Sequence, residues 1–207
     1  MGCFPFFREI SGKDVLIVGG GAVALRRART LAGFGARLRA VSPEFAAGFD
    51  ELEIERAEHP FEEADLDGAD MVIAATGDSA VNVQVARLCL ARGIEVNAAD
   101  APELSTFQFP GVVQRGRLTV AVNTGGASPV ASAFVRSQLD RILPENFDEI
   151  LGCMEKARAM AKAILPQQRA RGRALEAVFE RCLQPQPLPD AEETECMIRR
   201  FLCMEMD

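Results

Sequence analysis

Histidine is nearly absent: His59 is the single one in 207 residues. The cysteines, at positions 3, 89, 153, 182, 196 and 203, form no C-x-x-C pair. Zinc and iron–sulfur sites need ligands clustered at short spacings, so no metal centre is expected. His59 precedes Pro60 between acidic stretches and reads as a surface-loop residue. Long apolar runs are missing too. None reaches the length that spans a bilayer, so no membrane partner is expected. The start, MGCFPFFREI, lacks the basic region and long apolar stretch of a secretory signal. Gly2 is present, but Phe6 stands where a myristoylation site wants Ser or Thr. Cys89 and Cys182 fall on apolar helix faces, where a thiol packs as a small hydrophobe. A reducing cytoplasm fits this cysteine usage.

An excess of positive charge is also lacking. Thirty acidic residues against 23 basic ones give a net charge of −7, which argues against a nucleic-acid partner. One stretch departs from this balance. Lys156, Arg158, Lys162, Arg169, Arg171 and Arg173 follow one another with no acid between them. They read either as a solvated helix face or as a local site for a polyanionic ligand.

What is present is a regular alternation. KDVLIV (13–18) is a short β-branched run, followed by GGG and by a helical stripe of Ala24, Ala28, Leu31 and Ala32 that ends at Gly33 and Gly35. RLRAV, LEIER, DMVIAAT and IEVNAA read as further strands. A second helical stripe, Val81, Val85, Leu88 and Cys89, is closed by Gly93. Strands alternating with helices as far as Asp100 predict a parallel, doubly wound Rossmann-like sheet. The pattern then changes. GVVQRGRLTVAVNT predicts two strands joined tightly at Arg115–Gly116, and Ser128–Pro129 predicts the start of a helix running to about Leu143. Beyond Pro144 the chain reads as helical. Phe147, Ile150, Leu151, Met154 and Ala157 form one stripe, and Leu175, Val178, Phe179 and Cys182 form another. QPQPLP (184–189) is a stiff linker, and ETECMIRRFLCMEM a last short helix. The expected organisation is a Rossmann-like domain over 1–110, a small α+β segment over 111–145 and a helical domain over 146–207.

Three places could carry chemistry. Gly19, Gly21 and Ala24 have the G-x-G-x-x-A spacing between a strand and a helix, which is the context in which that spacing means dinucleotide binding. Gly19 would permit the tight turn, Gly21 would let backbone approach a pyrophosphate, and Ala24 would let helix pack close to sheet. The helix N-terminus would face the phosphates with free N–H groups. Glu44 or Ser42, after the second strand, are the candidates for the ribose, and Glu44 favours NAD over NADP. Asp100 lies at the carboxyl end of a strand, where ligands of such sheets bind. It could take a proton while a hydride leaves, or it could cap the turn at Ala101–Pro102. The loop NTGGASP (123–129), with Thr124, Gly125 and Ser128, is either a second anion site or a plain helix cap. Arg115, Arg117 and Arg136 are near it in sequence.

The stretches VLIVGGGAVALRRARTLAGFGARLRAVSPE, VIAATGDSAVN, VNAADAPELSTFQFP and LTVAVNTGGASPV, in this order, resemble the siroheme synthase amino-terminal domain family. That family contains precorrin-2 dehydrogenases, some of them also sirohydrochlorin ferrochelatases. The resemblance covers about residues 4–145 well and the helical tail loosely. It implies NAD-dependent oxidation of the tetrapyrrole precorrin-2 to sirohydrochlorin, in a homodimer whose interface is the segment after the sheet. It implies Asp100 as the essential aspartate and Ala22, Val23, Pro43 and Glu44 as cofactor contacts. A serine modified in some relatives is Thr124 here. The many carboxylates of precorrin-2 would need local cations, for which Arg169 and Arg171, and the pair Arg115 and Arg117, are the candidates. A bifunctional enzyme that also inserts Fe²⁺, with Asp100 again as base, and a non-catalytic NAD-sensing module are the alternatives.

Overall fold

The computed structural model describes residues 4–202. They divide into two compact units, one ending at Phe109 and one beginning at Pro110.

The first unit runs β1 (Asp14–Val18), α1 (Ala22–Ala32), β2 (Arg37–Val41), β3 (Glu55–Ala57), β4 (Met71–Ala74), α2 (Ser79–Arg92) and β5 (Glu95–Ala98). The strands form one sheet in the order β3-β2-β1-β4-β5, every neighbouring pair parallel. A parallel sheet covered on both faces has no solvent side, so β1 reads DVLIV and β4 MVIA without polar interruption. Side chains still alternate along each strand. Val15 and Ile17 join Ala24, Ala28 and Leu31 of α1 on one face, while Leu16 and Val18 join Val85, Ala86 and Cys89 of α2 on the other. Val15, Ile17, Val72 and Ile73 are essentially inaccessible to solvent. Each such side chain contributes roughly 1.5–3 kcal/mol relative to an exposed one.

The third strand departs from expectation. LEIER was to supply it, but β3 is Glu55–Ala57, paired only with Arg39–Val41 of β2. As an edge strand with one partner it needs no apolar alternation, so hydropathy does not mark it. The sheet reverses direction at β1: the chain goes outward through β2 and β3, then returns to the other side with β4 and β5. The crevice at the carboxyl ends of β1 and β4 is thus the topological switch point, where ligands of such sheets bind.

The second unit begins with an antiparallel pair, β6 (Gly111–Arg115) and β7 (Leu118–Val122), followed by α3 (Pro129–Ile142). Then come α4 (Phe147–Ile164), α5 (Gln168–Cys182) and α6 (Ala191–Arg199). The last three close a core of Ile150, Ala157, Ala161, Leu165, Ala170, Ala174, Val178, Cys182 and Ile198. Alanine dominates it, which lets helix backbones approach closely. The last helix starts earlier than expected, because Asp190 caps it by accepting from Glu193 N at 2.8 Å. It gives way to a 3₁₀ turn at Arg200–Leu202, and the rest of the expected helix lies outside the described residues. Cys89 and Cys182 are both buried. Burial pushes their thiols up, to about 11 and about 12.

Candidate functional site

The turn after β1 is shaped by close backbone approach. Gly19 has φ +126°, and a Cβ there would collide with the Ala75 carbonyl. At Gly20 it would meet the Glu44 carbonyl oxygen. Gly20 was outside the sequence motif, yet it is the residue that seats the loop after β2 against the turn, and its carbonyl accepts from Ala46 N at 2.8 Å. Gly21 is different: a Cβ there would meet nothing within 4 Å. The first two glycines make the turn, and the third leaves open space in front of a helix end.

That helix end is unfilled by protein. Gly21 is the N-cap of α1, no side chain caps it, and its first turn holds no acid. The first backbone bond of the helix is Leu25 N to Gly21 O, 3.0 Å. The N–H groups of Ala22, Val23 and Ala24 therefore precede the helical ladder and point toward the open space. Uncapped donors, the positive end of the helix and room at Gly21 fit a pyrophosphate. Pro43 and Glu44 are exposed on the neighbouring loop and Ser42 is buried beneath them. On α1 itself, Arg27 stacks on Phe109 at 5.3 Å, and burial pulls its guanidinium down to about 10, so it stays charged at neutral pH.

Asp100 follows β5 by two residues and is exposed. It does not cap the turn after it: the 3₁₀ turn at Pro102–Leu104 has no side-chain cap. Its Oδ1 instead accepts from Asn82 Nδ2 at 2.9 Å. Asn82 belongs to the first turn of α2, which Asp78 caps by accepting from Ala80 N. The Asn82 amide is wholly buried. Its Oδ1 accepts from Thr76 N and Thr76 Oγ1, each at 2.9 Å, and its Nδ2 also donates to Thr76 O at 3.2 Å. Thr76 is the second residue after β4, and its nitrogen is 3.0 Å from where a Gly19 Cβ would stand. Glycine turn, Thr76, Asn82 and Asp100 thus form one contiguous set across the tips of β1, β4 and β5. Asn82 closes the stretch VIAATGDSAVN, but it carries no chemical motif of its own. Its chemical signal is that of a polar residue beside the apolar stripe of Val81 and Val85.

The remaining expected site residues belong to the second unit. Ser128 caps α3, its Oγ accepting from Ala131 N at 3.1 Å. Thr124 Oγ1 donates to Ser128 O at 3.2 Å and pairs with Ser132 Oγ at 3.1 Å, while Gly125 N donates to Asn123 Oδ1 at 2.8 Å. The loop thus satisfies several of its own polar groups. Arg115 and Arg117 differ from the free cations expected of them. Arg115 pairs with Asp140, and Arg117 with both Asp148 and Glu155. Among the described residues, Lys156, Arg158, Lys162, Arg169 and Arg171 make no ion pair with any acid. Arg173 stacks over Phe201 at 5.9 Å. His59 is in a loop, its Nε2 3.7 Å from Asp65 Oδ1. Among the described residues no three of His, Cys, Asp and Glu are grouped to hold a metal ion, and no helix is long and apolar enough to cross a membrane.

Sheet order, glycine turn and uncapped helix end define the first unit as a dinucleotide-binding α/β unit. A family model described as "Putative NAD(P)-binding" matches residues 6–111, and the chain belongs to that family. The chain is 38% identical over 185 residues to a siroheme synthase of Pseudomonas paraeruginosa (strain DSM 24068 / PA7), covering 87% of this chain and 40% of that one. It is 40% identical over 184 residues to a siroheme synthase of Pseudomonas entomophila (strain L48), with the same coverage. It spans about 40% of the length of these curated relatives. A solved structure titled SirC, precorrin-2 dehydrogenase, shares the fold with a TM-score of 0.67 at 23% identity, over 97% of this chain and 99% of that one. The resemblance read from the sequence is borne out by these matches.

Proposed function

We propose that the protein oxidises precorrin-2 to sirohydrochlorin with NAD, Asp100 acting as the base. The observation that carries this is the contiguity of the glycine turn with Asp100, through Thr76 and Asn82. A carboxylate and a cofactor cradle at one switch point are what removal of a hydride and a proton from one substrate requires. The siroheme synthase and precorrin-2 dehydrogenase relatives supply the substrate class. When bound, NAD accepts the hydride with its electron pair, and the balance of the oxidation leaves one proton to be removed. The N–H groups of Ala22 and Val23 would hold the pyrophosphate, Gly21 giving it room, with Pro43 and Glu44 beside the ribose. Asp100 would take the proton on its free oxygen and release it to solvent, to which the side chain is open.

Arg169 and Arg171, which pair with no carboxylate among the described residues, are the candidates for the substrate's carboxylates; Thr124, Gly125 and Ser128 are candidates for others. The chain works as a homodimer in the cytoplasm, organised as a cofactor domain over 1–110, a dimerisation segment over 111–145 and a helical domain over 146–207. The dimer rests on α3, which buries none of its residues while Val130, Phe134, Val135 and Ile142 stay exposed. Contiguous apolar surface of this kind marks an interaction face. Mixing the protein with NAD and precorrin-2 should yield NADH and sirohydrochlorin in equal amounts. Binding of NAD without its reduction, under conditions where a known dehydrogenase turns over, would leave a nucleotide sensor instead.

A further inference from the structure

We infer that Asn82 is the positioning residue of this site: it engages one oxygen of Asp100, so that the other, Oδ2, is the atom that takes the substrate's proton. The inference rests on Asp100 being the base of the oxidation. It starts from the hydrogen-bonding capacity of one side chain. A carboxamide offers two donor hydrogens and two acceptor lone pairs. In Asn82 both ends are engaged: Thr76 N–H donates to Oδ1, which also lies 2.9 Å from a Thr76 hydroxyl whose one hydrogen has Asp78 O at 2.8 Å as a second acceptor, and Nδ2 donates to Thr76 O and to Asp100 Oδ1. The Thr76 backbone N–H can only donate, so it fixes the amide oxygen on its own side. The NH₂ group is thereby fixed on the side of Asp100. That group can only donate, so Asp100 Oδ1 meets it as an acceptor with a lone pair already engaged, and Oδ2 is the oxygen left open to an arriving proton.

The same bond sets orientation. Asp100 is exposed, its carboxylate makes no other hydrogen bond among the described residues, and a side chain so placed would otherwise sample several rotamers. Asn82 is inaccessible to solvent and tied to the segment against which Gly19 packs, so it holds the carboxylate in register with the cofactor turn. A purely structural task for Asn82, joining the tip of β4 to α2, needs only its bonds to Thr76. An aspartate at 82 would retain the acceptors for Thr76 N and Oγ1. It would lose the donors to Thr76 O and to Asp100; the first loss is read in the melting temperature and the second in kcat, which makes it the discriminating variant.

In Asn82→Asp, kcat at neutral pH should fall about 100-fold, the effect of a misaligned catalytic group. The KM for precorrin-2 and the Kd for NAD should stay within about twofold of the parent. Turnover should return in part as the pH is raised, because two facing carboxylates share one proton until it is removed. A structural role predicts no such pH-dependent recovery. Placed in an Asp100→Ala background, Asn82→Asp should cost no further activity. Each variant is assayed well below its own melting midpoint. If Asn82→Asp does not fold, Asn82→Ala decides by the same division between kcat and KM. A parental kcat and pH profile in the variant that folds overturns the role of Asn82. Parental turnover in Asp100→Ala alone overturns instead the reading of Asp100 as base, so the two failures are told apart.

Discussion

α2 and α3 are each 14 residues long, and each starts on a side-chain cap, Asp78 in one and Ser128 in the other. α2 buries Asn82, Val85, Ala86 and Cys89; α3 buries nothing. The difference lies in what each helix is given to pack on. α2 lies across a sheet whose strands are apolar on both faces. α3 has only the two-stranded ribbon of β6 and β7, which itself contributes one fully buried apolar residue, Val113. An isolated two-stranded ribbon is marginally stable at best, and this one buries little apolar surface for α3 to share. Helix formation by itself therefore says little about where a helix's apolar face goes. α2 serves the folded unit to which it belongs, and α3 presents a surface.

The sharpest way to break that contrast is to put a charge on each helix. Val85→Asp should unfold the first unit, since burying an unpaired carboxylate costs more than about 4 kcal/mol. Phe134→Asp, at a position 62% exposed, should leave the melting temperature of a monomer nearly unchanged while shifting the sedimentation of the proposed homodimer to that of a monomer. If Phe134→Asp unfolds the chain as Val85→Asp does, α3 is core after all and the comparison fails.

Next in size is the chemistry carried beside α2. Asp100→Ala should keep NAD affinity and lower dehydrogenase turnover roughly 100- to 10,000-fold. Asp100→Asn should be nearly as slow, because the amide keeps the shape and loses the basicity. Near-parental turnover in Asp100→Asn would return Asp100 to a structural role. Gly21→Asp tests the helix that α2 faces across the sheet. The open space there predicts an unchanged melting curve and loss of NAD binding by calorimetry, as a carboxylate occupies the anion's place. Unaltered affinity would rule out this turn as the cofactor site.

The smallest effect belongs to the second unit. The backbone N–H of Arg117, and then its guanidinium, hold Asp148 below the ordinary aspartate range. A depressed folded-state value means that the group stabilises the fold above the unfolded-state pKa, and that this is lost as pH falls through the folded one. Asp148→Asn should therefore melt slightly below the parent at neutral pH, with the two curves converging below about pH 4. A gap that persists into acid would assign the difference to packing rather than charge.

The parts of the molecule that were legible in the sequence are those set by local pattern. β1, the three glycines and the start of α1 follow from apolar runs and glycine spacing, and Ser128–Pro129 from capping chemistry. Less legible were features set by residues far apart in the chain. β3 is a strand because β2 offers an edge, not because its side chains alternate. The helical core was read through Phe147, Ile150, Leu151, Met154 and Ala157, of which Ile150 and Ala157 are fully buried, while the buried alanines at 161, 170 and 174 were not read. Arg115 and Arg117 read as free charge because Asp140, Asp148 and Glu155 come from helices later in the chain. Asn82 was passed over for the same reason: its neighbours Thr76 and Asp100 end two different strands, and only the folded sheet brings them to it.

The bond from Thr76 N–H to Asn82 Oδ1 has a consequence for time rather than structure. Amides within the strands are protected by the sheet and exchange with solvent deuterium only when the sheet opens. The Thr76 amide is sealed by a side chain instead, so its exchange times the opening of the crevice alone. It is a clock for the site, readable with the sheet intact, and it should slow when the dinucleotide arrives.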